Sequence, residues 1–515
     1  MNAAYNPITK NKIALYWLGE NGKHLEFSFF EINRLSNQFG NLLKDEGVKK
    51  GERVFFFLPR VPELYYGFLG TLKIGAVAGT LFAAFGSSAI FERLYNSEAR
   101  VLITNKILFP RLDKIKKNLP NLKKIILIEN LDSLLSHYSV DLKLNQMKES
   151  DPAFMLFTSA TGNTPVSGIV IPHGGIKQQV TSARLALDLK ENDIYWCTAD
   201  PGWVTGVVYS ILTPWIIGTG QVVFEGRFGA KAWYQIIQDY KVNVLYTAPT
   251  ALRMLQKEGI LYKKFKLDSL RYLASVGEAL SPALIKWGKS VFGRTIHDTW
   301  WQTETGAILL ANRPGLKIKP GSMGKPLPGI KAAILNEKMH LLLPGKTGNL
   351  ALKRGWPAMM TGIWKKTNLY KKYFFGNWFL TGDQAYTDKD GYFWFVGRKS
   401  EIIKTSGERV GTFEVESVLD SHPAIAETAV IGKPDELRGE IIKAFIVLKS
   451  GQKPSEKLKE KIQAYVKTYL AGHAYPREIE FIKNLPKNRS GKILRRILKA
   501  KELGLPPGDT STLET

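Results

Sequence analysis

In the stretch LTGDQA, Asp383 directly follows a Thr-Gly turn, where a fixed carboxylate can accept two hydrogen bonds from a vicinal diol such as that of a ribose. Gly-Asp pairs are common in turns, so the neighbourhood has to carry the reading. Downstream, GRKSEIIKTSGERVG supplies Arg398 and Arg409, both able to contact nucleotide oxygens. Upstream stand SVGEAL and HDTWWQTETG. The second string sets two tryptophans, an amide, two threonines and an acid at fixed spacing, more than a sheet edge requires. Near the C-terminus, LPKNRSGKILRR places Lys492 beside Gly491 in a loop that opens a basic helix. A further loop, FTSATGNTPVSG at 157–168, follows the apolar run 153–157. A strand running into Ser, Thr and Gly presents backbone N–H groups to an anion, yet this loop holds no lysine.

The elements that position these residues follow from periodicity. Short β-branched or aromatic runs (RVFFFLP, VLITN, KKIILIE, IYWCTAD, QVVFEG, VNVLYTAP, LRYLASVGE) alternate with amphipathic stretches, which indicates an α/β protein with largely parallel sheets. One helix is expected at 30–46, with Ile32, Leu35, Phe39, Leu42 and Leu43 on one face and Gly47 as its stop. After Pro320 turn signals and short strands dominate, predicting a β-rich subdomain to about Phe395. From Ser400 a smaller α+β unit follows, with strands near AETAVIG, IKAFIVL and EIEFI. Its helix at 456–470 is capped by Ser455 and Gly472. The expected division is therefore 1–399, a large α/β domain with a β-rich subdomain, and 400–515, a small mobile domain.

A chain of 515 residues is too long for one ordinary core. The formal net charge of +26, from 72 Lys and Arg against 46 Asp and Glu, is compatible with nucleic acid, a membrane surface or anionic small substrates. The basic residues are scattered and no helix-turn-helix, RNP or zinc pattern accompanies them, so they read as a solvated surface without a nucleic-acid partner. A single cysteine, Cys197, excludes an internal disulfide framework and fits a cytoplasmic protein. The longest apolar stretch, 207–224, is interrupted by Pro214, Gly218 and Gly220 and reads as buried core, so no membrane span is expected.

Taken together, YWCTADPGWVTG, YTAPTALRML, HDTWWQTETG, KPGSMGKPLPG, TSGERVG and FEVES resemble the adenylate-forming superfamily of acyl-CoA synthetases, luciferases and peptide-synthetase adenylation domains. Within it the likeness is greatest to the acetyl-CoA synthetase branch in its Bacillus-type form, and it runs from about Asn2 to the C-terminus. The resemblance implies two half-reactions, in which a short carboxylic acid such as acetate first attacks ATP and the CoA thiol then displaces AMP. ATP, CoA and Mg²⁺ are the implied cofactors. Residue by residue, it implies that Gly277, Glu278 and Ala279 line the adenine, with Ala279 in place of the branch's usual proline. Asp298, Thr299, Trp300, Trp301, Gln302 and Thr303 would pass along the nucleotide, and Glu304 would bind the metal. Asp383 and Arg398 would hold the ribose, Arg409 a phosphate, and Lys492 would be the catalytic lysine of adenylation.

It further implies that the small domain swings about a hinge at Ser400, presenting Ser406, Gly407 and Lys467 to CoA beside Thr205. Acetylation of Lys492 by a lysine acetyltransferase, reversed by a deacetylase, would remove the catalytic charge. Relatives hold a cation near the positions of Asp420, His422 and Ile425; here His422 reads better as a surface histidine. The acyl pocket falls to Val204, Thr205, Val276 and Trp301, with the tryptophan as a floor that favours acetate and leaves slow use of propionate.

Two departures qualify this. The loop SATGNTPVSG has Val166 and Ser167 where relatives carry a lysine and its neighbour, leaving Ser159, Thr161, Gly162 and Thr164 as phosphate donors. His173 keeps its place downstream. The loss bears on rate more than on identity. The hinge position is Ser400 where most relatives have aspartate or lysine. Two other readings stay open at this level: a ligase with another acid or acceptor, and a non-catalytic descendant that binds nucleotide or an acidic partner.

Overall fold

The computed structural model describes residues 11–158, 167–406, 408–487, 493–507 and 513. Two large sheets carry the first part of the chain. In the nine-stranded one, Ile296–Trp300, Tyr272–Ser275, Val244–Thr247, Ile194–Cys197, Gly220–Phe224 and Ile13–Leu18 lie side by side, all parallel, with antiparallel strands at both edges. The seven-stranded sheet runs parallel from Lys124–Leu127 through Val101–Thr104, Arg53–Leu58 and Val77–Phe82 to Pro152–Thr158. It then turns antiparallel at Ser167–Pro172, where Thr158 stands opposite Ser167. Every apolar run expected to be a strand is one, because strands buried on both faces are continuously apolar.

The expected first helix spans Phe29–Asp45. Ser28 Oγ accepts from the Glu31 N–H while the Glu31 carboxylate accepts from the Ser28 N–H, a reciprocal cap that fixes its start. Gly47, at φ +74°, takes the left-handed turn beyond its end. The stretch 207–224 is core, as expected: Val207–Leu212 is a π-helical turn with every residue buried. Gly218 then breaks the chain before the strand Gly220–Phe224. Among the described residues no helix is long and apolar enough to cross a membrane.

The β-rich region forms a five-stranded antiparallel sheet of Ala332–Leu335, Gly348–Lys353, Trp378–Thr387, Phe374–Phe375 and Phe393–Arg398. A short 3₁₀ turn, Lys399–Glu401, leads from its last strand into the small unit. There the strand Gly439–Leu448 alternates strictly: Ile442, Ala444 and Ile446 face one core, Phe445 and Val447 the other. One expectation needs correction. The helix starting after Ser455 ends at Tyr469, not at 470 with Gly472 as its cap. Leu470 leaves helical geometry because it and Ala471 turn to pack on the small unit's core.

Candidate active site

Four adjacent parallel strands, Ile194–Cys197, Val244–Thr247, Tyr272–Ser275 and Ile296–Trp300, end at the same edge of the nine-stranded sheet. The segments leaving them carry Val204 and Thr205, Thr250, Val276 to Ala279, and Trp301 to Glu304. Ligands of open α/β sheets bind at this carboxyl edge, where N–H groups and loop side chains converge. Gly277 turns there with φ +89°, a conformation that costs glycine little.

The antiparallel sheet meets this edge at Asp383. Strand register sets Asp383 opposite Arg398, on the two consecutive strands Trp378–Thr387 and Phe393–Arg398. Asp383 is 2% exposed. Its Oδ2 accepts from Trp300 Nε1 at 2.9 Å and from Gln302 Nε2 at 3.2 Å, and Arg398 Nε lies 3.0 Å from Oδ1. The carboxylate in turn holds the Arg398 guanidinium above its ordinary range. Trp300 and Gln302, expected along the nucleotide, thus also orient the acid expected at the ribose.

Glu304 follows in the turn Thr303–Thr305. Burial pushes its carboxyl up, opposed by the charge of Arg398 and by the Tyr373 hydroxyl, which donates to Oε1 at 3.2 Å. Asp298 is raised well above the carboxylate range by burial, and Thr299 donates from Oγ1 to the Ser275 carbonyl at 2.7 Å.

Trp301 is clamped from two sides. Its Nε1 donates to Tyr246 Oη at 3.3 Å, and its ring meets that of Tyr209 edge-on, with centroids 5.0 Å apart at 88°. Val276 is buried, while Val204 and Thr205 are half-buried in a short helical turn. Tyr209 and Tyr246 received no role from the sequence; the first lies in the apolar stretch 207–224 and the second in the run VNVLYTAP, and such an unbroken apolar context does not tell a pocket wall from core.

Glu278 accepts from Thr250 Oγ1 at 2.7 Å and from Arg253 Nη1 at 3.1 Å. Both donors belong to YTAPTALRML, a motif whose individual residues had no function assigned. Burial lowers the His173 imidazole to about 4, so it stands neutral at physiological pH.

The small unit presents a different picture. Arg409 pairs with Glu337 at 3.1 Å, as does Lys399 at 3.1 Å, next to the expected hinge Ser400. Lys467 lies over the Tyr475 ring at 4.0 Å. Ser406 is exposed, with φ +51°, and donates its N–H to the Arg438 carbonyl. None of these is engaged with the Asp383 corner. Asp420 accepts from Thr428 Oγ1 at 2.8 Å, and His422 Nδ1 accepts from the Ala424 N–H at 3.2 Å, so His422 is occupied locally. Ser159, Thr161, Gly162, Thr164, Val166, Gly407 and Lys492 lie outside the described residues.

Comparison with known proteins adds to this geometry. A family model described as AMP-binding enzyme matches residues 5–364, and one described as AMP-binding enzyme C-terminal domain matches 414–492. The chain is 51% identical to acetyl-coenzyme A synthetase of Bacillus subtilis, with 100% of this chain and 93% of that protein covered. It is 38% identical to acetyl-coenzyme A synthetase of Methanothrix thermoacetophila, covering 99% and 84%. Among solved structures, an anthranilate CoA ligase in complex with anthranoyl-AMP superposes with a TM-score of 0.90 at 31% identity, covering 98% and 97%. A benzoate CoA ligase from Burkholderia xenovorans superposes with a TM-score of 0.87 at 26% identity, covering 97% and 99%.

Proposed function

The chain belongs to the AMP-binding enzyme family, and from that premise we propose that it is an AMP-forming acetate–CoA ligase. The observation that carries the acid and the acceptor is the 51% identity to acetyl-coenzyme A synthetase over the whole chain. In the first half-reaction an acetate oxygen attacks the α-phosphorus of ATP and the bond to pyrophosphate breaks, leaving acetyl-adenylate. In the second, the CoA thiol loses its proton, its sulfur attacks the acyl carbon, and AMP departs.

The residues of this chain divide that work. Asp383, oriented by Trp300 and Gln302, holds the ribose with Arg398. Gly277, Glu278 and Ala279 flank the adenine, and Thr303 continues along the nucleotide. Trp301, fixed by Tyr209 and Tyr246, floors an acyl pocket walled by Val204, Thr205 and Val276. Preplaced cations and N–H donors stabilise charge developing on phosphate oxygens; here those are Lys492, Arg409 and the loop with Ser159, Thr161, Gly162 and Thr164. One carboxylate suits Mg²⁺, which takes most of its ligands from water and phosphate, and Glu304 would hold it. When bound, the ion neutralises phosphate charge.

A swing about Ser400, between a domain at 1–399 and one at 400–515, then brings Ser406, Gly407 and Lys467 to CoA. Acetylation of Lys492 by a lysine acetyltransferase, reversed by a deacetylase, switches the first half-reaction off. We place the enzyme in the cytoplasm, where the buried Cys197 thiol, pushed up to about 11 by burial, is inert. The test is acid-dependent release of AMP and pyrophosphate by purified protein with acetate, propionate and butyrate. Acetate is expected to be fastest, and no acetate-dependent AMP would overturn the reading.

A further inference from the structure

At the seam between the large and small units one guanidinium serves two carboxylates. Arg253, on the helix Pro249–Lys257, lies 3.1 Å from Glu278 Oε2 through Nη1 and 3.6 Å from Asp420 Oδ2 through Nη2. Both ends are tied further, since Thr250 Oγ1 donates to Glu278 and Thr428 Oγ1 donates to Asp420. The side chains of Arg253, Glu278 and Asp420 are 13%, 15% and 12% exposed, so the chain of contacts is largely shielded from water. It links the segment beside the adenine to a strand of the small unit.

We propose that Arg253 is a positioning residue that sets the register of the small domain on the large one in the arrangement serving adenylation. The proposal rests on the acetate-ligase reading above. Three observations support it. Lys487 and Ile493, which flank 488–492, adjoin Thr250, Arg253, Glu427 and Thr428 around one narrow crevice. The flanks of Lys492 therefore sit against the helix whose Thr250 and Arg253 hold Glu278. Next, the helix Arg495–Glu502 is anchored by Arg495, which donates from Nε and Nη2 to the two Glu416 oxygens at 2.8 and 2.6 Å. The groups expected to meet CoA, Ser406 and Lys467, are meanwhile engaged within the small unit.

The physical role is register rather than grip. A buried ion pair returns little net stability, because desolvation consumes the Coulomb gain, but a seating that buries one partner without the other is strongly disfavoured. Burial raises the Asp420 carboxyl to about 6 even with Arg253 and Thr428 opposing, which is the mark of such a pair. Withdrawal of the small domain returns both groups to water, so the seam rejects misalignment without locking the domain shut.

The experiment uses full-length protein with spin labels at Lys257→Cys and Lys457→Cys, two exposed positions on opposite sides of the seam. Distance distributions are recorded with ATP and no acid. Parallel assays measure acetate-dependent pyrophosphate release and CoA thioester formation from supplied acetyl-adenylate. Asp420→Lys, which faces Arg253 with a like charge, and Arg253→Gln, which leaves two carboxylates without their shared cation, should each depopulate the parent's main distance. Each should also lower the ratio of the first rate to the second by about tenfold, within the usual range of coupling between sites. Arg253→Lys should restore part of both. Parent-like distances and ratio in both variants overturn the proposal; so does a change with Arg253→Gln alone, which would confine Arg253 to Glu278. Should Asp420→Lys not fold, Asp420→Asn takes its place with a smaller shift in the same direction. If the parent makes no acetate-dependent AMP, the ligase reading falls while the distances still decide the register.

Discussion

The Asp383 corner and the Arg409 end of the small unit hold their charged groups in opposite ways. Asp383 is buried and meets Trp300, Gln302 and Arg398 within 3.2 Å, from two different sheets. Arg409, by contrast, is 60% exposed and pairs with a Glu337 that is itself 53% exposed. A preorganised buried acceptor loses nothing more on ordering when ligand arrives, whereas an exposed ion pair is worth about 0–1 kcal/mol and exchanges partners freely. Asp383 is thus locked in place, while Arg409 is loosely held and can change partner at little cost.

The contrast can be broken most directly at Lys492. Lys492→Ala is expected to cut acetyl-adenylate formation by about 10³-fold, the upper range for losing one transition-state donor. Thioester formation from supplied acetyl-adenylate should stay within twofold of the parent. Equal loss in both assays would remove the distinction between locked and mobile groups. Asp383→Asn is the converse test. Ribose is present in ATP and in acetyl-adenylate, so both half-reactions should weaken together, by roughly 10²-fold in kcat/KM for a buried charge-assisted contact. A loss confined to one half-reaction would show that Asp383 does not hold the ribose.

Smaller effects sharpen the picture inside the locked region. Trp301→Gly should raise kcat/KM for butyrate relative to acetate by about tenfold or more, since each methylene in an apolar pocket is worth about 1–3 kcal/mol. Tyr246→Phe, which removes the hydroxyl accepting from Trp301 Nε1, should shift the same ratio less. An unchanged acid ratio in Trp301→Gly would displace the tryptophan from the pocket floor. The smallest change is expected at the loose side. Glu337→Gln frees Arg409 and Lys399 and should lower KM for ATP by about twofold, in line with an exposed pair. A tenfold effect there would mean that the small unit is gripped as firmly as the Asp383 corner.

Much of this organisation was legible in the order of residues. The largely parallel sheets and the antiparallel region after Pro320 follow from apolar period and turn chemistry, because local pattern determines which faces can be buried. Ser455 was legible as a cap, since capping involves residues three positions apart. The helix end at Tyr469 was not, because packing of Leu470 on a distant core overrode the Gly472 signal.

Within the site, the sequence by itself determined which residue types were present: an acid after a Thr-Gly turn, two arginines downstream, a Trp-Trp-Gln-Thr-Glu string and a terminal Gly-Lys. The tertiary structure decided which of them meet. Antiparallel register sets Asp383 against Arg398, parallel order brings Tyr246 beside Trp301, and the seam brings Arg253 to both Glu278 and Asp420. Tyr246 and Trp301, and Arg253 and Asp420, are separated along the chain by distances that no local periodicity encodes. Their contact exists because burying shared apolar faces folds the strands into one order, and that order alone determines which polar groups meet in the shielded space between them.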